Sequence, residues 1–278
     1  MAMRKYSEVD VFSPTAYLGN PLAVVHDAEG LASGQMQGFA KWTNLAETTF
    51  LMQPEDPAAD YRVRIFSATQ EFPFAGHPTL GSAFAWLKAG GVPKKQGRVI
   101  QECAAGLVEV RVEPQRLWFA APPLTRYEPV AELLVQRIAE VLAIPREQIQ
   151  DASWLVNGPE WIGVRLSSAQ QVLALDPDPN ALGTLAIGVA GPQEPGAGTQ
   201  FEVRAFVGGD PVWEDPATGS LNAGLARWLA DSGLAPERYI AAQGTAIGYQ
   251  GRVHLRVEDG VVWVGGDVSS CVQGEVDL

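Results

Sequence analysis

Apolar positions along the chain fall into short runs separated by Gly, Pro, Asn and Asp. Runs rich in β-branched and aromatic residues predict strands at Val9–Phe12, Leu22–Val25, Thr48–Met52 and Tyr61–Phe66, then at Val99–Cys103, Leu107–Val112 and Leu117–Ala120. A helix is predicted at Leu31–Asn44 and another at Pro78–Leu87, where Leu80, Ala83, Phe84 and Leu87 form one apolar stripe at helical spacing. The segment APPLTRYEP near residue 121 reads as a linker, because paired prolines continue neither helix nor sheet. Beyond it the pattern predicts a helix at Val130–Leu142, strands at Trp161–Leu166, Leu185–Ala190 and Phe201–Phe206, and a helix at Ser220–Ala230 with the stripe Leu221, Leu225, Trp228 and Leu229. Four more strands close the chain, at Tyr239–Ala242, Val253–Val257, Val261–Val264 and Val268–Val276. Strands outnumber helices and many are short with tight turns, which predicts an α+β architecture rather than a doubly wound parallel sheet.

An internal repeat sharpens this picture. Arg64-Ile65-Phe66 is followed by Gly76-His77-Pro78-Thr79-Leu80-Gly81-Ser82 and a helix ending in Trp86-Leu87. Arg204-Ala205-Phe206 is followed by Glu214-Asp215-Pro216-Ala217-Thr218-Gly219-Ser220 and a helix ending in Trp228-Leu229. Read with a period near 138 residues, this sets His77-Pro78 against Asp215-Pro216, and a weaker echo pairs Asn20-Pro21 with Asn157-Gly158-Pro159. So long a repeat is not a solenoid. It predicts two copies of one α+β domain facing each other across a cleft, residues 1–121 and 122–278, with the last strand a candidate to return to the first half.

Composition narrows the classes of function. The 278 residues are 46% hydrophobic and 19% charged, an ordinary globular balance. Twenty basic against 32 acidic residues give a net charge of −12, and no run of Lys or Arg supplies the basic face that nucleic-acid binding needs. Cys103 and Cys271 are too few for a disulfide framework, and with only three histidines and no CxxC or HExxH no metal site is expected. The opening MAMRKYSEVD turns acidic at once, so no signal peptide is expected. Charge-free stretches such as Pro179–Gln193 are too short to span a membrane, and a soluble cytoplasmic protein is expected.

Candidate chemistry concentrates at the repeated motifs. Proline is tolerated in a first helical turn, so His77-Pro78 and Asp215-Pro216 both read as helix entries, with Asp215 also suited to be a cap. The small residues Gly76, Gly81, Gly219 and Ser220 would leave backbone N–H groups open to a ligand, and helix N-termini attract carboxylates. Glu47, between a helix and an apolar strand, would lie near buried surface, which raises a carboxyl pKa toward the range of a group that takes and gives a proton. The repeat sets Leu185 or a neighbouring apolar residue against Glu47, so only one copy carries this titrating group.

GNPLAVV, NLAETTF, EFPFAGHPTLG, EDPATGSL and the closing QG…G…VGG pattern resemble the phenazine-biosynthesis PhzF-like isomerase family over essentially the whole chain, Val9 to Gly274. The resemblance implies the diaminopimelate-epimerase-like fold: two pseudo-symmetric halves, each a mostly antiparallel sheet wrapped around a central helix. By motif it implies catalytic roles for Glu47, His77 and Asp215, and substrate binding by Gly76, Pro78, Thr79, Gly219, Ser220 and Asn20. In related epimerases and racemases paired cysteines move the proton; His77 and Asp215 are read here as the matching positions, and neither cysteine lies in the motifs. Two departures from the family pattern, Arg204–Gly209 and Thr69-Gln70 before Glu71, bear on substrate choice more than on chemistry. The implied activity is a proton and double-bond shift in a small carboxylic acid such as trans-2,3-dihydro-3-hydroxyanthranilate, with no cofactor, in a homodimer. The alternatives are an epimerase or racemase of an amino or hydroxy acid, and a non-catalytic small-acid binding protein on the same fold.

Overall fold

The computed structural model describes residues 2–209 and 213–278. The chain divides into two compact units, Met1–Ala120 with Gly265–Leu278, and Ala121–Val264. The fold is α+β.

Unit 1 contains β1 (Met3–Val11), β2 (Asn20–Val25), α1 (Ser33–Thr43), β3 (Glu47–Met52), β4 (Tyr61–Phe66), β5 (Glu71–Phe72), α2 (Gly76–Lys88), β6 (Arg98–Cys103), β7 (Gly106–Val112) and β8 (Leu117–Ala120). Its ladder runs β1-β2-β3-β4-β6-β7-β8; the β2–β3 and β4–β6 pairs are parallel and the rest antiparallel. The sheet wraps around α2, whose residues Gly76 to Ala83 are all buried. The predicted single stripe is therefore incomplete: the first two turns are covered on every side, while Phe84 and Leu87 are only half-buried. Close approach needs glycine here. A Cβ on Gly81 would lie 2.5 Å from Leu22, and one on Gly76 would run into the Phe119 ring. These two glycines make room for the sheet. On the outer face α1 packs Met36 and Ala40 against Val25, Phe50 and Phe66.

Unit 2 contains β9 (Arg126–Pro129), α3 (Glu132–Val141), β10 (Asp151–Val156), β11 (Trp161–Arg165), α4 (Ala169–Leu173), β12 (Ala186–Pro192), β13 (Phe201–Val207), β14 (Glu214–Asp215), α5 (Gly219–Asp231), β15 (Arg238–Gln243), β16 (Gly251–Glu258) and most of β17 (Val261–Gly266). The ladder β10-β11-β12-β13-β15-β16 has the same senses as β1-β2-β3-β4-β6-β7, with parallel pairs at β11–β12 and β13–β15. Helix α5 is its central helix, and Gly224 brings it against Leu155 of β10. An outer layer of α3 and α4 covers Ile162, Val164, Ile187 and Val189. The last strand, β18 (Val268–Asp277), pairs antiparallel with β1 in unit 1.

Five elements were not anticipated, the short β5 and β14 among them. The proline-rich linker carries β9, an exposed strand paired antiparallel to β10 through Leu155↔Tyr127. Strand β10 itself is followed by a turn with Gly158 at φ 140. Helix α4 has only five residues, with Ser168 Oγ accepting from Gln171 N–H as its cap.

The register of the repeat also differs from the sequence reading. Phe66 pairs with Glu71 on β4–β5, and Phe206 pairs with Glu214 on β13–β14, so Glu71-Phe72-Pro73 matches Glu214-Asp215-Pro216. Both central helices have 13 residues and begin at a glycine, Gly76 and Gly219. His77 thus matches Ser220, Asp215 matches Phe72, and the N-cap positions are Ala75 and Thr218. The period of 138 fails because the chain between Phe206 and Glu214 is longer than that between Phe66 and Glu71. By strand register Glu47 matches Ala186, since Leu22↔Glu47 corresponds to Trp161↔Ala186. The same register sets Asn20 against Pro159, so the Asn20–Asn157 echo is out of step.

Candidate active site

In unit 1 the end of α1 delivers Glu47. Asn44 ends that helix in the left-handed region, φ 54, with its N–H still bonded to the Ala40 carbonyl, and the chain turns directly into β3. Glu47 is the first residue of β3, and the Thr43 and Thr48 hydroxyls, 3.0 Å apart, tie helix end to strand start. Thr49 holds the strand to its neighbours: its hydroxyl donates to the Ala23 carbonyl at 3.3 Å and accepts from Ser82 of α2 at 3.0 Å.

His77 is the second residue of α2, and its Nδ1 lies 3.1 Å from Glu47 Oε2. The two side chains are 5% and 18% exposed, so the carboxylate retains access while the imidazole is enclosed. Thr79, expected to contact substrate, also bonds within unit 1. Its amide and its hydroxyl both donate to the Ala75 carbonyl, at 3.1 and 2.9 Å, and its oxygen accepts from Gln101 at 3.0 Å. Thr79 therefore ties the helix to β6. Pro78 stands in the first turn, where its lack of an N–H costs no helical bond, and Asn20, 1% exposed, begins β2.

In unit 2 Asp215 is not the cap of α5. It belongs to β14, and the cap residue is Thr218, whose hydroxyl donates to Asp215 Oδ2 at 2.6 Å. The preceding Glu214 pins β14 through a two-pronged ion pair, accepting from Arg204 Nε at 2.8 Å and Nη2 at 2.7 Å. Arg204 also donates to the Leu175 carbonyl at 2.5 Å. Ser220, second in α5, receives the Trp161 indole N–H at 3.0 Å on its hydroxyl oxygen, which leaves the hydroxyl hydrogen to donate elsewhere. Asn157 donates to the Ser220 carbonyl at 2.9 Å. The amides of Gly219 and Ser220 lie in the first turn, where helix geometry gives them no intrahelical acceptor.

Sequence reasoning missed Gln243, Thr218 and Trp161. The signal for Gln243 was present in the QG pair. Gly244, at φ 85, lets the end of β15 pass the Pro216 carbonyl, 2.7 Å from where a Cβ would stand, and Gln243 thereby reaches Asp215 and Thr218.

Neither cysteine belongs to these constellations: Cys103 is in β6 and Cys271 in β18, both with thiol pKa values raised by burial. Trp42 is 79% exposed on α1, and Trp213 stacks on Phe206 within unit 2. Among the described residues no group of three or more His, Cys, Asp or Glu is placed to hold a metal ion, and no helix is long and apolar enough to cross a membrane.

Known proteins place this arrangement in context. The family model described as phenazine biosynthesis-like protein, PhzC-PhzF, matches residues 9–274. Antisense-enhancing sequence 1 of Schizosaccharomyces pombe is 35% identical, covering 99% of both chains. The trans-2,3-dihydro-3-hydroxyanthranilate isomerase of Pseudomonas aeruginosa is 33% identical, covering 92% of this chain and 91% of its own. A PhzF-family phenazine biosynthesis protein from Bacillus anthracis has the same fold over 100% of both chains, with a TM-score of 0.85 at 19% identity. A family match over residues 9–274, with a relative 33% identical over 92% of the chain, is more than a shared fold, and the chain belongs to the PhzC-PhzF family of phenazine biosynthesis-like proteins.

Proposed function

We propose that this chain is an isomerase that moves a proton, and with it a double bond, within a small unsaturated carboxylic acid of the trans-2,3-dihydro-3-hydroxyanthranilate type, without a cofactor. The observation that carries the reading is the Glu47 carboxylate, partly accessible and 3.1 Å from His77 Nδ1 at the start of α2. The name and 33% identity of the Pseudomonas aeruginosa relative support the substrate type.

In this reading Glu47 removes a proton from carbon and returns it elsewhere on the conjugated system. His77 steadies the carboxylate between the two transfers. Asp215 and Ser220 bind polar substituents, and first-turn helix amides hold a carboxylate. Pro78, Thr79 and Asn20 line the site and contact the substrate. A homodimer in the cytoplasm belongs to the same reading, and light scattering on the purified chain tests the assembly.

The reaction is tested by NMR of the purified protein with trans-2,3-dihydro-3-hydroxyanthranilate in D₂O. Turnover with deuterium placed at carbon supports the reading. Exchange at a stereocentre with loss of optical rotation and no double-bond shift would replace it by epimerisation. No reaction by the folded protein would remove this substrate and leave the family assignment standing.

A further inference from the structure

We propose that Gln243 and Thr218 are positioning residues that, through the hydrogen bond to Oδ2, fix the orientation of the Asp215 carboxylate. The inference rests on the role of Asp215 proposed above and adds residues and an atom that reading does not contain.

Donors and acceptors around Gln243 set its orientation. A side-chain amide can be placed either way round, and here the surroundings decide. The Thr218 backbone N–H, which can only donate, lies 3.1 Å from one end of the Gln243 amide. The Asp215 backbone carbonyl, which can only accept, lies 2.8 Å from the other. The first end is therefore Oε1 and the second Nε2. Asn222 agrees: its Nδ2 donates to the Thr218 carbonyl at 2.9 Å and to Gln243 Oε1 at 2.7 Å. The second hydrogen on Nε2 points to Thr218 Oγ1, 2.9 Å away. The Thr218 hydroxyl thus accepts from Gln243, and its single hydrogen is left for Asp215 Oδ2 at 2.6 Å. That length is typical of a hydroxyl donating to a carboxylate.

The direction of this chain is set by two backbone groups that cannot reverse. Gln243 and Asn222 are fully buried and Thr218 is 7% exposed, so water does not compete for these bonds. The motif residues Thr218 and Gln243 thereby gain a common purpose, and the glycine after Gln243 is what lets the strand come close enough.

Two measurements test this. In protein with ¹³C-labelled aspartate and threonine, the Thr218 hydroxyl proton should exchange slowly, and its replacement by deuterium should shift the Asp215 carboxyl carbon. Absence of that shift in the wild-type protein overturns the proposal without any substrate or variant. In turnover assays, Thr218→Val and Gln243→Leu should each lower kcat/KM by about tenfold or more, the scale of one hydrogen bond to a charged group. Thr218→Ser, which keeps the hydroxyl, should recover most of that loss, an outcome a purely structural role for the methyl group would not give. Asp215→Asn separates the levels. If it turns over as wild type, the role of Asp215 fails; if it is impaired while Thr218→Val and Gln243→Leu are not, only the positioning by Thr218 and Gln243 fails.

Discussion

Arg204 and Glu214 form a bidentate ion pair inside unit 2, their side chains 5% and 3% exposed. The same pair recurs in unit 1 as Arg64 and Glu71, with both contacts at 2.7 Å but exposures of 28% and 37%. Each arginine also lies over the phenylalanine two residues on, Phe66 at 5.1 Å and Phe206 at 4.8 Å. One geometry in two solvent environments makes an internal control. Arg204→Met should cost about 3–5 kcal/mol, because it strands a buried carboxylate. Arg64→Met should cost about 0–1 kcal/mol, since water can take over the solvation of Glu71. Urea unfolding of the two variants checks this, and equal losses would show that burial is not what separates the pairs.

Glu47→Gln keeps the size of the side chain and removes its basicity. It should lower turnover of an authentic substrate by at least about 10²-fold, the low end for a positioned acid–base group. Deuterium incorporation at carbon should fall with it, while the thermal midpoint stays near the wild-type value. Near-normal turnover would dismiss Glu47 as the base.

Glycines in helices offer a contrast between packing and propensity. A Cβ on Gly76 meets the Phe119 ring, which is 1% exposed and cannot swing away. Gly76→Ala should therefore destabilise by about 1–3 kcal/mol. Gly38 lies within α1 with nothing within 4 Å of a Cβ, so Gly38→Ala should stabilise by about 0.5–1 kcal/mol. Chemical denaturation of the pair reads both signs.

His26 contributes a pH dependence. Burial lowers its pKa below the ordinary 6.5, with Asp27 opposing and Lys5 adding to the shift, and Ser7 Oγ lies 3.0 Å from Nε2. A histidine whose folded pKa is depressed binds its proton more readily when unfolded. Its contribution to stability is present above pH 6.5 and is lost as the pH falls through the folded value. His26→Asn should flatten the stability profile between about pH 7 and pH 5, measured by urea unfolding at several pH values. A slope as steep as the wild type would show that His26 does not set it.

What the sequence by itself determined was local. Tyr61–Phe66 and Leu117–Ala120 are strands with the predicted ends, because β-branched and aromatic runs bounded by turn residues have few other solutions. The doubling of the fold was legible too, since each copy must encode the same ladder and the same glycine-opened central helix. The pairing of Glu47 with His77 was foreshadowed only as two motifs; their 3.1 Å contact needed the parallel β2–β3 pair and the turn at Asn44 to bring β3 beside the start of α2. The tertiary structure alone decided the register of the repeat. Short motifs align by identity, but strands align by hydrogen-bond ladders, and a longer connection after Phe206 moves Asp215 opposite Phe72 and Ser220 opposite His77. It also decided what Gln243 does. A glutamine carries no sign of which way its amide faces, and only the backbone N–H of Thr218 and the carbonyl of Asp215, brought to its two ends by packing, give it a direction.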